Sequence, residues 1–262
     1  MATPTFQSRW HMAAVAVGFV MASVSTTASA ITMTLPTTNL DANAKFSFTS
    51  DVQGLMENMG LSVTALGNSR QAKAGIWSFD MPVTEVSLSA NLLPLSLSPV
   101  SGEATGSALG IYSEEGGLKL ANFSLDFKRN VLSADLITSA GTNKGFDVYN
   151  FNVEKGLHVS TTGGLSMQMS LTHMVLTSGA QSAFMQALVL PEFALDVLGQ
   201  LDFGRLDIAI APTLRFGVSD KAYVGSMSTV TAASMVPELP SYGMFALGLL
   251  GLAATARRKM QR

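Results

Sequence analysis

The stretch "LSMQMSLTHMVL" (residues 165–176) decides the fold, because its apolar residues alternate with the period of a β-strand. One face carries Leu165, Met167, Met169, Leu171, His173 and Val175. The opposite face begins with Ser166, Gln168, Ser170 and Thr172. This alternation is typical of an antiparallel strand that buries one face. We therefore expect a half-buried strand in which His173 is a core histidine bonded to a backbone group rather than a ligand.

The preceding segments predict further strands joined by tight turns. "LKLANFSLDF" (residues 118–127) changes its apolar face near Ala121–Asn122, which indicates a β-bulge. Lys128–Asn130 then turns the chain into "VLSADLI" (residues 131–137), as in a hairpin. Ser139–Gly145 predicts a second turn before the next strand.

Two short helices and two prolines complete this pattern. Ser50–Gly60 begins with a good N-cap and ends in glycine, and Ala180–Pro191 is apolar enough to cover one end of a sheet. Pro82 and Pro94 interrupt strand-like sequence, which indicates edge positions or corners. Residues 31–235 therefore predict one all-β domain, either an antiparallel β-sandwich or an open barrel with one or two short helices.

The composition of the chain narrows the classes of partner and site. Residues 31–235 carry 11 Lys and Arg against 17 Asp and Glu, a net charge of −6. A central region this acidic argues against nucleic acid as a partner. The chain has no cysteine, which excludes disulfides, thiolate metal sites and cysteine nucleophiles.

The first 30 residues have the layout of a secretory signal peptide. Arg9 precedes Met12–Val24, a run of 13 apolar or small residues. Ala28 and Ala30 then fit the small-x-small preference of a cleavage site. The run is too short for a permanent membrane helix, which needs roughly 20 residues. We expect export and a mature chain that starts near Ile31.

The C-terminal segment, residues 236–262, combines a short apolar run with a basic end. Tyr242–Ala256 has 15 residues without a formal charge. As a helix this run spans about 22 Å, which is short of the roughly 30 Å hydrocarbon core of a bilayer. Arg257, Arg258 and Lys259 follow as a basic stop. Because positive residues stay on the cytoplasmic side, we expect the preceding domain to lie outside the cytoplasm.

This segment resembles the PEP-CTERM sorting domain of Gram-negative bacteria. The motif "VPELP" supplies Val236, Pro237, Glu238 and Pro240, and the apolar run and basic end follow it. The sequence departs from the commonest form at Leu239, which separates Glu238 from the second proline. The resemblance implies an exosortase as processing partner, transient insertion in the inner membrane, and a final location at the cell surface or outside the cell. The alternative is a simple tail anchor that is retained.

The sequence carries no residue pattern that assigns a catalytic, metal or cofactor site. The histidines left after signal removal, His158 and His173, have no Asp or Glu at ligand spacing, and no metalloprotease or calcium-loop motif occurs. Ala108–Leu136 faintly resembles the HtaA-type haem-binding β domain, in which a strand after a glycine-rich turn leads to a closing L-x-A-D. That resemblance would imply haem held near Tyr112, whereas ordinary antiparallel strands explain the same segment. We expect no enzymatic activity, no cofactor and no metal.

Three functions therefore stay open at this stage. The first is an exported, non-enzymatic structural or adhesive component of the cell surface or extracellular matrix, with extracellular polysaccharide among its candidate partners. The second is a secreted binding module for a small apolar ligand or haem, held in a barrel lined by Leu, Met and Phe. The third is a secreted hydrolase of unrecognised type.

Overall fold

Alternating apolar residues form strands along most of the chain in the computed structural model, which describes residues 31–92, 95–161, 166–192 and 194–227. The strands in these residues are β1 (Ile31–Pro36), β2 (Leu40–Phe48), β3 (Ser62–Gly67), β4 (Arg70–Lys73), β5 (Ile76–Pro82), β6 (Glu85–Leu92), β7 (Leu95–Tyr112), β8 (Gly117–Asp126), β9 (Val131–Thr138), β10 (Gly141–Ser160), β11 (Ser166–Leu176) and β12 (Gly204–Leu214). The helices are α1 (Ser50–Asn58), α2 (Ser178–Leu188) and α3 (Ala194–Leu198).

Several predicted features lie outside the described residues. They are the cleavage residues Ala28 and Ala30, the motif residues Val236, Pro237, Glu238 and Pro240, the basic residues Arg257, Arg258 and Lys259, the apolar C-terminal helix, and Pro94. The export and sorting signals therefore stay predictions.

The twelve described strands form one curled antiparallel sheet in the shape of a half-barrel. Their order is β1-β6-β7-β8-β9-β10-β11-β12-β2-β5-β4, and β3 pairs with the C-terminal half of β7. The prediction of an antiparallel β fold with short helices is confirmed, and the strands share a single sheet rather than two stacked ones.

A two-residue link, Val83–Thr84, joins strands from opposite parts of this sheet. It connects β5, which pairs with β2, to β6, which pairs with β7. The Val83 N–H donates to the Ala42 carbonyl at 2.9 Å, and the Thr84 N–H donates to the Glu103 carbonyl at 2.8 Å. The Thr84 hydroxyl also donates to the Glu103 carbonyl and accepts a bond from the Thr105 N–H at 3.1 Å. The link therefore bonds to β2 on one side and to β7 on the other, which holds the sheet curled.

Two flanking residues reinforce the Val83–Thr84 link. The Thr37 N–H donates to the Thr84 carbonyl at 2.8 Å, and the Thr37 hydroxyl donates to the Val83 carbonyl at 2.9 Å. Pro82 ends β5 immediately before the link, which fits the expectation of a proline at a corner.

The predicted bulge at Asn122 is confirmed. The register of β8 against β9 shifts between Ala121 and Ser124, and Asn122 has φ of +52°. The Asn122 side chain satisfies the irregular backbone nearby: it accepts bonds from the Gly106 N–H at 3.0 Å and the Tyr223 N–H at 2.7 Å. The bulge therefore fixes the segment that follows β12 against the outer face of the sheet.

The prediction that His173 lies in the core is wrong. His173 has φ of +56° in a bulge of β11, and its side chain is 62% exposed, with Nδ1 3.7 Å from a carboxylate oxygen of Asp202. The bulge shifts the inward face by one residue, so Met174 and Leu176 are buried instead. Apolar residues on both faces of this end of the strand concealed the change of phase from the sequence.

The turns agree with the sequence in part. The chain turns through Lys128–Asn130 as predicted, and Asn130 has φ of +55°. The predicted turn Ser139–Gly145 is wrong in its extent, because only Ser139 and Ala140 form the turn and β10 already begins at Gly141. The remainder of the predicted turn contains a bulge of β10, where Gly145 has φ of +60°.

The two predicted helices are confirmed, and α3 was not predicted. The side chains of Thr49 and Thr177 cap α1 and α2, so each helix begins one to two residues from its expected start. Phe184 and Leu188 of α2 are buried in the main core.

The helices lie at one end of the half-barrel. β2, β7 and β11 run in the same direction, because an even number of antiparallel pairings separates them. α1 follows the end of β2, and α2 follows the end of β11. The Ser113 hydroxyl, just after β7, donates to the Leu188 carbonyl of α2 at 3.0 Å. This end is the helix end, and the opposite one is the open end.

Replacing Thr84 by valine tests the link. Thr84→Val keeps the shape of the buried side chain but leaves the Thr105 N–H without its acceptor. We expect the free energy of unfolding to fall by about 1 to 2 kcal/mol, measured by urea denaturation. Thr142→Val, at an exposed position of β10, is the matched control and should change stability little. Equal effects of the two substitutions would contradict the role of Thr84.

Candidate binding sites

An apolar cavity lies between the inner faces of the strands at the open end. Its volume is about 40 Å³, and β2 and the strands from β5 to β12 contribute to its lining. The apolar side chains in the lining include Met81, Leu88, Phe123, Leu125, Met167 and Met169. A cavity needs about 10 to 15 Å³ to hold one water molecule, so this one has room for about three water-sized apolar groups.

Small residues leave space for this cavity among larger apolar side chains. Ala44 of β2 lies between Ile208 of β12 and Met81 of β5 in the strand register. On the opposite side, Gly102 leaves space in β7: an added Cβ atom would be 3.9 Å from the nearest side-chain atom, Cδ1 of Leu125. The methionines beside this space are flexible and adapt readily to a ligand. The lining is therefore both apolar and adaptable.

Tyr112, His158 and His173 do not line the cavity. Tyr112 ends β7 at the helix end, where its ring lies over Gly110 and Gly117. His158 and His173 are exposed on β10 and β11. The described lining of the cavity contains no tyrosine or histidine. The residues that the haem-domain resemblance would use are therefore not brought together here.

A cluster of charged side chains joins the β8–β9 turn to β10. The Arg129 guanidinium donates to Asp126 and Asp147, each at 2.7 Å, and the Ser133 hydroxyl donates to Asp147 at 2.7 Å. The bonds from Arg129 and then Ser133 lower the pKa of Asp147. These carboxylates are occupied in holding a hairpin together, which is a structural role.

No metal or membrane feature was found in the described part of the chain. In residues 31–92, 95–161, 166–192 and 194–227, no group of three His, Asp or Glu side chains could hold a metal ion. Among the same residues, no helix has the length and apolar character needed to cross a membrane.

Comparisons of the chain with protein-family models, curated proteins and solved structures found no match. The arguments for function therefore depend on the residues and their geometry.

Proposed function

We propose that this chain is an exported, non-enzymatic component of the cell surface or extracellular matrix, sorted and cleaved by an exosortase-type enzyme. The observation that carries the proposal is the pairing of two terminal signals. A 13-residue apolar run and an Ala-x-Ala site stand at one end, and a Pro-Glu motif, a short apolar run and three basic residues stand at the other. A β-rich domain lies between them.

The path of the chain after β12 is compatible with this proposal. The Asn122 side chain holds Tyr223 against the sheet, and the Lys119 ammonium donates to the Ser226 carbonyl at 2.8 Å. Met227 packs in the small outer cluster formed by Ala108, Ala121 and Ile137. The described chain ends there, nine residues before Val236. In this proposal the motif begins a short distance from the folded domain, within reach of a membrane-embedded enzyme.

The proposed role of the β domain is structural or adhesive. Its interior is one large apolar cluster that extends from the helix end to the open end. The Val83–Thr84 link and the outer strap, defined as Arg215–Met227, add long-range contacts to that cluster. A domain with one continuous apolar core suits a protein that works in place after export.

Mass spectrometry of the C-terminus tests the sorting proposal. We expect the surface or extracellular fraction to contain protein that has lost Arg262 and the rest of the basic end. Glu238→Ala should preserve the intact C-terminus and retain the protein in the inner membrane. Gln261→Ala, beyond the motif and the apolar run, is the control and should be processed normally. An intact Arg262 in wild-type protein that stays in the inner membrane would contradict the proposal.

The cavity at the open end supports a second candidate function, the binding of a small apolar ligand. We expect octanoate to bind in a calorimetric titration and acetate not to bind, because the apolar end of octanoate can enter the cavity whereas acetate has a single methyl group next to its carboxylate. Gly102→Val adds an isopropyl group beside the cavity and should weaken octanoate binding on the order of tenfold. Gly156→Val, at an open and exposed position of β10, is the control. Equal octanoate affinity in both variants, or no binding to the wild type, would reject this candidate.

A further inference from the structure

A second cavity, on the outer face of the sheet, is polar and much larger. It has a volume of about 680 Å³ and lies over β12, β2, β5 and β4. One wall is the first part of the outer strap, residues 215–218. This volume is within the range of about 300 to 1,000 Å³ that is usual for ligand sites. We call this cavity the outer cleft.

One row of the outer cleft is a ladder of alternating charges. The strand register places Asp207 opposite Lys45, Lys45 opposite Asp80, and Asp80 opposite Arg70. Adjacent strands are about 4.8 Å apart, so the ladder extends over roughly 14 Å. The Lys45 ammonium lies 3.9 Å from the Asp80 carboxylate, and these side chains are 50% and 38% exposed. Donors and acceptors thus alternate along a row that water and ligands can reach at Lys45, Asp80 and Arg70. Oδ1 of Asp207 already accepts bonds from Arg205 and Ser170, each at 2.7 Å.

The next row of the outer cleft is low and nearly uncharged. It consists of Ala209, Asn43 and Pro82, which lie opposite one another in the register. None of these three side chains is bulky, and Ala209 is exposed, Asn43 half-buried and Pro82 buried. Ala209 and Asn43 therefore form a shallow floor beside the charged ladder. A ring-shaped group can lie on this floor while its edge faces the ladder.

The wall of the outer cleft is held in place at both ends. At one end the Arg215 guanidinium donates to the Ala42 carbonyl, to Oδ1 of Asn43 at 3.0 Å and to the Val83 carbonyl at 3.1 Å. Burial lowers the pKa of Arg215, which fits its place beside the Val83–Thr84 link. At the other end Asn68 exchanges two hydrogen bonds with the backbone of Ser219.

Phe216 lies between these two anchors and is 81% exposed. An aromatic ring on a fixed segment offers an apolar face to a ligand. The outer cleft therefore combines a charged ladder, a flat floor and one exposed aromatic side chain.

We infer that the outer cleft binds a neutral, hydroxyl-rich carbohydrate chain. Sugar hydroxyls donate to carboxylates and accept from ammonium, guanidinium and amide groups, and each of these groups is present. The C–H face of a sugar ring matches the exposed ring of Phe216. The lining contains three aspartates and three basic residues, so its formal charge is zero, which disfavours a polyanion. The inference rests on the proposed function in that such a chain would be met in the extracellular matrix.

Affinity electrophoresis of the purified full chain tests this site. Native gels containing dextran, galactomannan or xylan supply neutral chains, and an alginate gel supplies a polyanion. We expect at least one neutral polymer to retard the wild-type protein, and alginate to retard it less. Phe216→Ala should reduce the apparent affinity on the order of tenfold, because it removes the stacking face. Val224→Ala, at a 90% exposed apolar residue of the same strap, is the matched control and should bind normally.

Three outcomes would overturn the inference: no retardation by any of the neutral polymers, equal retardation of wild type and Phe216→Ala, or retardation by alginate alone. The sorting proposal is tested separately, because mass spectrometry of the C-terminus shows whether the basic end has been removed. Carbohydrate binding by a protein that keeps Arg262 would support this site and contradict the sorting proposal. A processed protein that binds no neutral polymer would contradict this site and leave the sorting proposal unchanged.

Discussion

The hydrogen bonds of Val83 and Thr84 hold the half-barrel together. Consecutive strands β5 and β6 pair with partners from distant parts of the sheet, so the two residues between them must bond in both directions. Val83 bonds to β2 through Ala42, and Thr84 bonds to β7 through Glu103. Thr84 is only 6% exposed, so its backbone and hydroxyl groups have little access to water as an alternative partner. Because these bonds fix the curl, they also decide which face of each strand becomes interior.

Both candidate sites follow from that curl. On β2, Ala44 faces the apolar cavity, whereas Asn43 and Lys45 face the outer cleft. The side chain of Arg215 connects the Val83–Thr84 link with the outer cleft. It donates to the Val83 carbonyl, and Arg215 is the first residue of the cleft wall. The curl thus places the apolar cavity on the inner face of the sheet and the outer cleft on the outer face, and alternate residues of the same strands line the two sites.

Local features of the fold could be predicted from the sequence, and long-range ones could not. Met167 and Met169 marked a buried strand face, and the change of phase at Asn122 marked a bulge. The burial of His173 was predicted wrongly, because apolar residues occupy both faces of the strand after the bulge. The strand order and the outer cleft depend on pairings between distant segments, such as that of Arg215 with Val83, and a single sequence carries no local sign of them. The one available signal was the run of polar residues at alternate positions of β2.

Amide hydrogen exchange at Val83 and Thr84 tests most directly whether the hydrogen bonds of this link hold the sheet curled. Both residues connect two strands, a place where loop amides usually exchange fast through local opening. We expect the N–H groups of Val83 and Thr84 to exchange only on global unfolding, at the rate of the amide of Phe79 in the middle of β5. Fast exchange at both residues, with Phe79 still protected, would contradict the role of the Val83–Thr84 link. The strands would then stay paired although the hydrogen bonds of Val83 and Thr84 open.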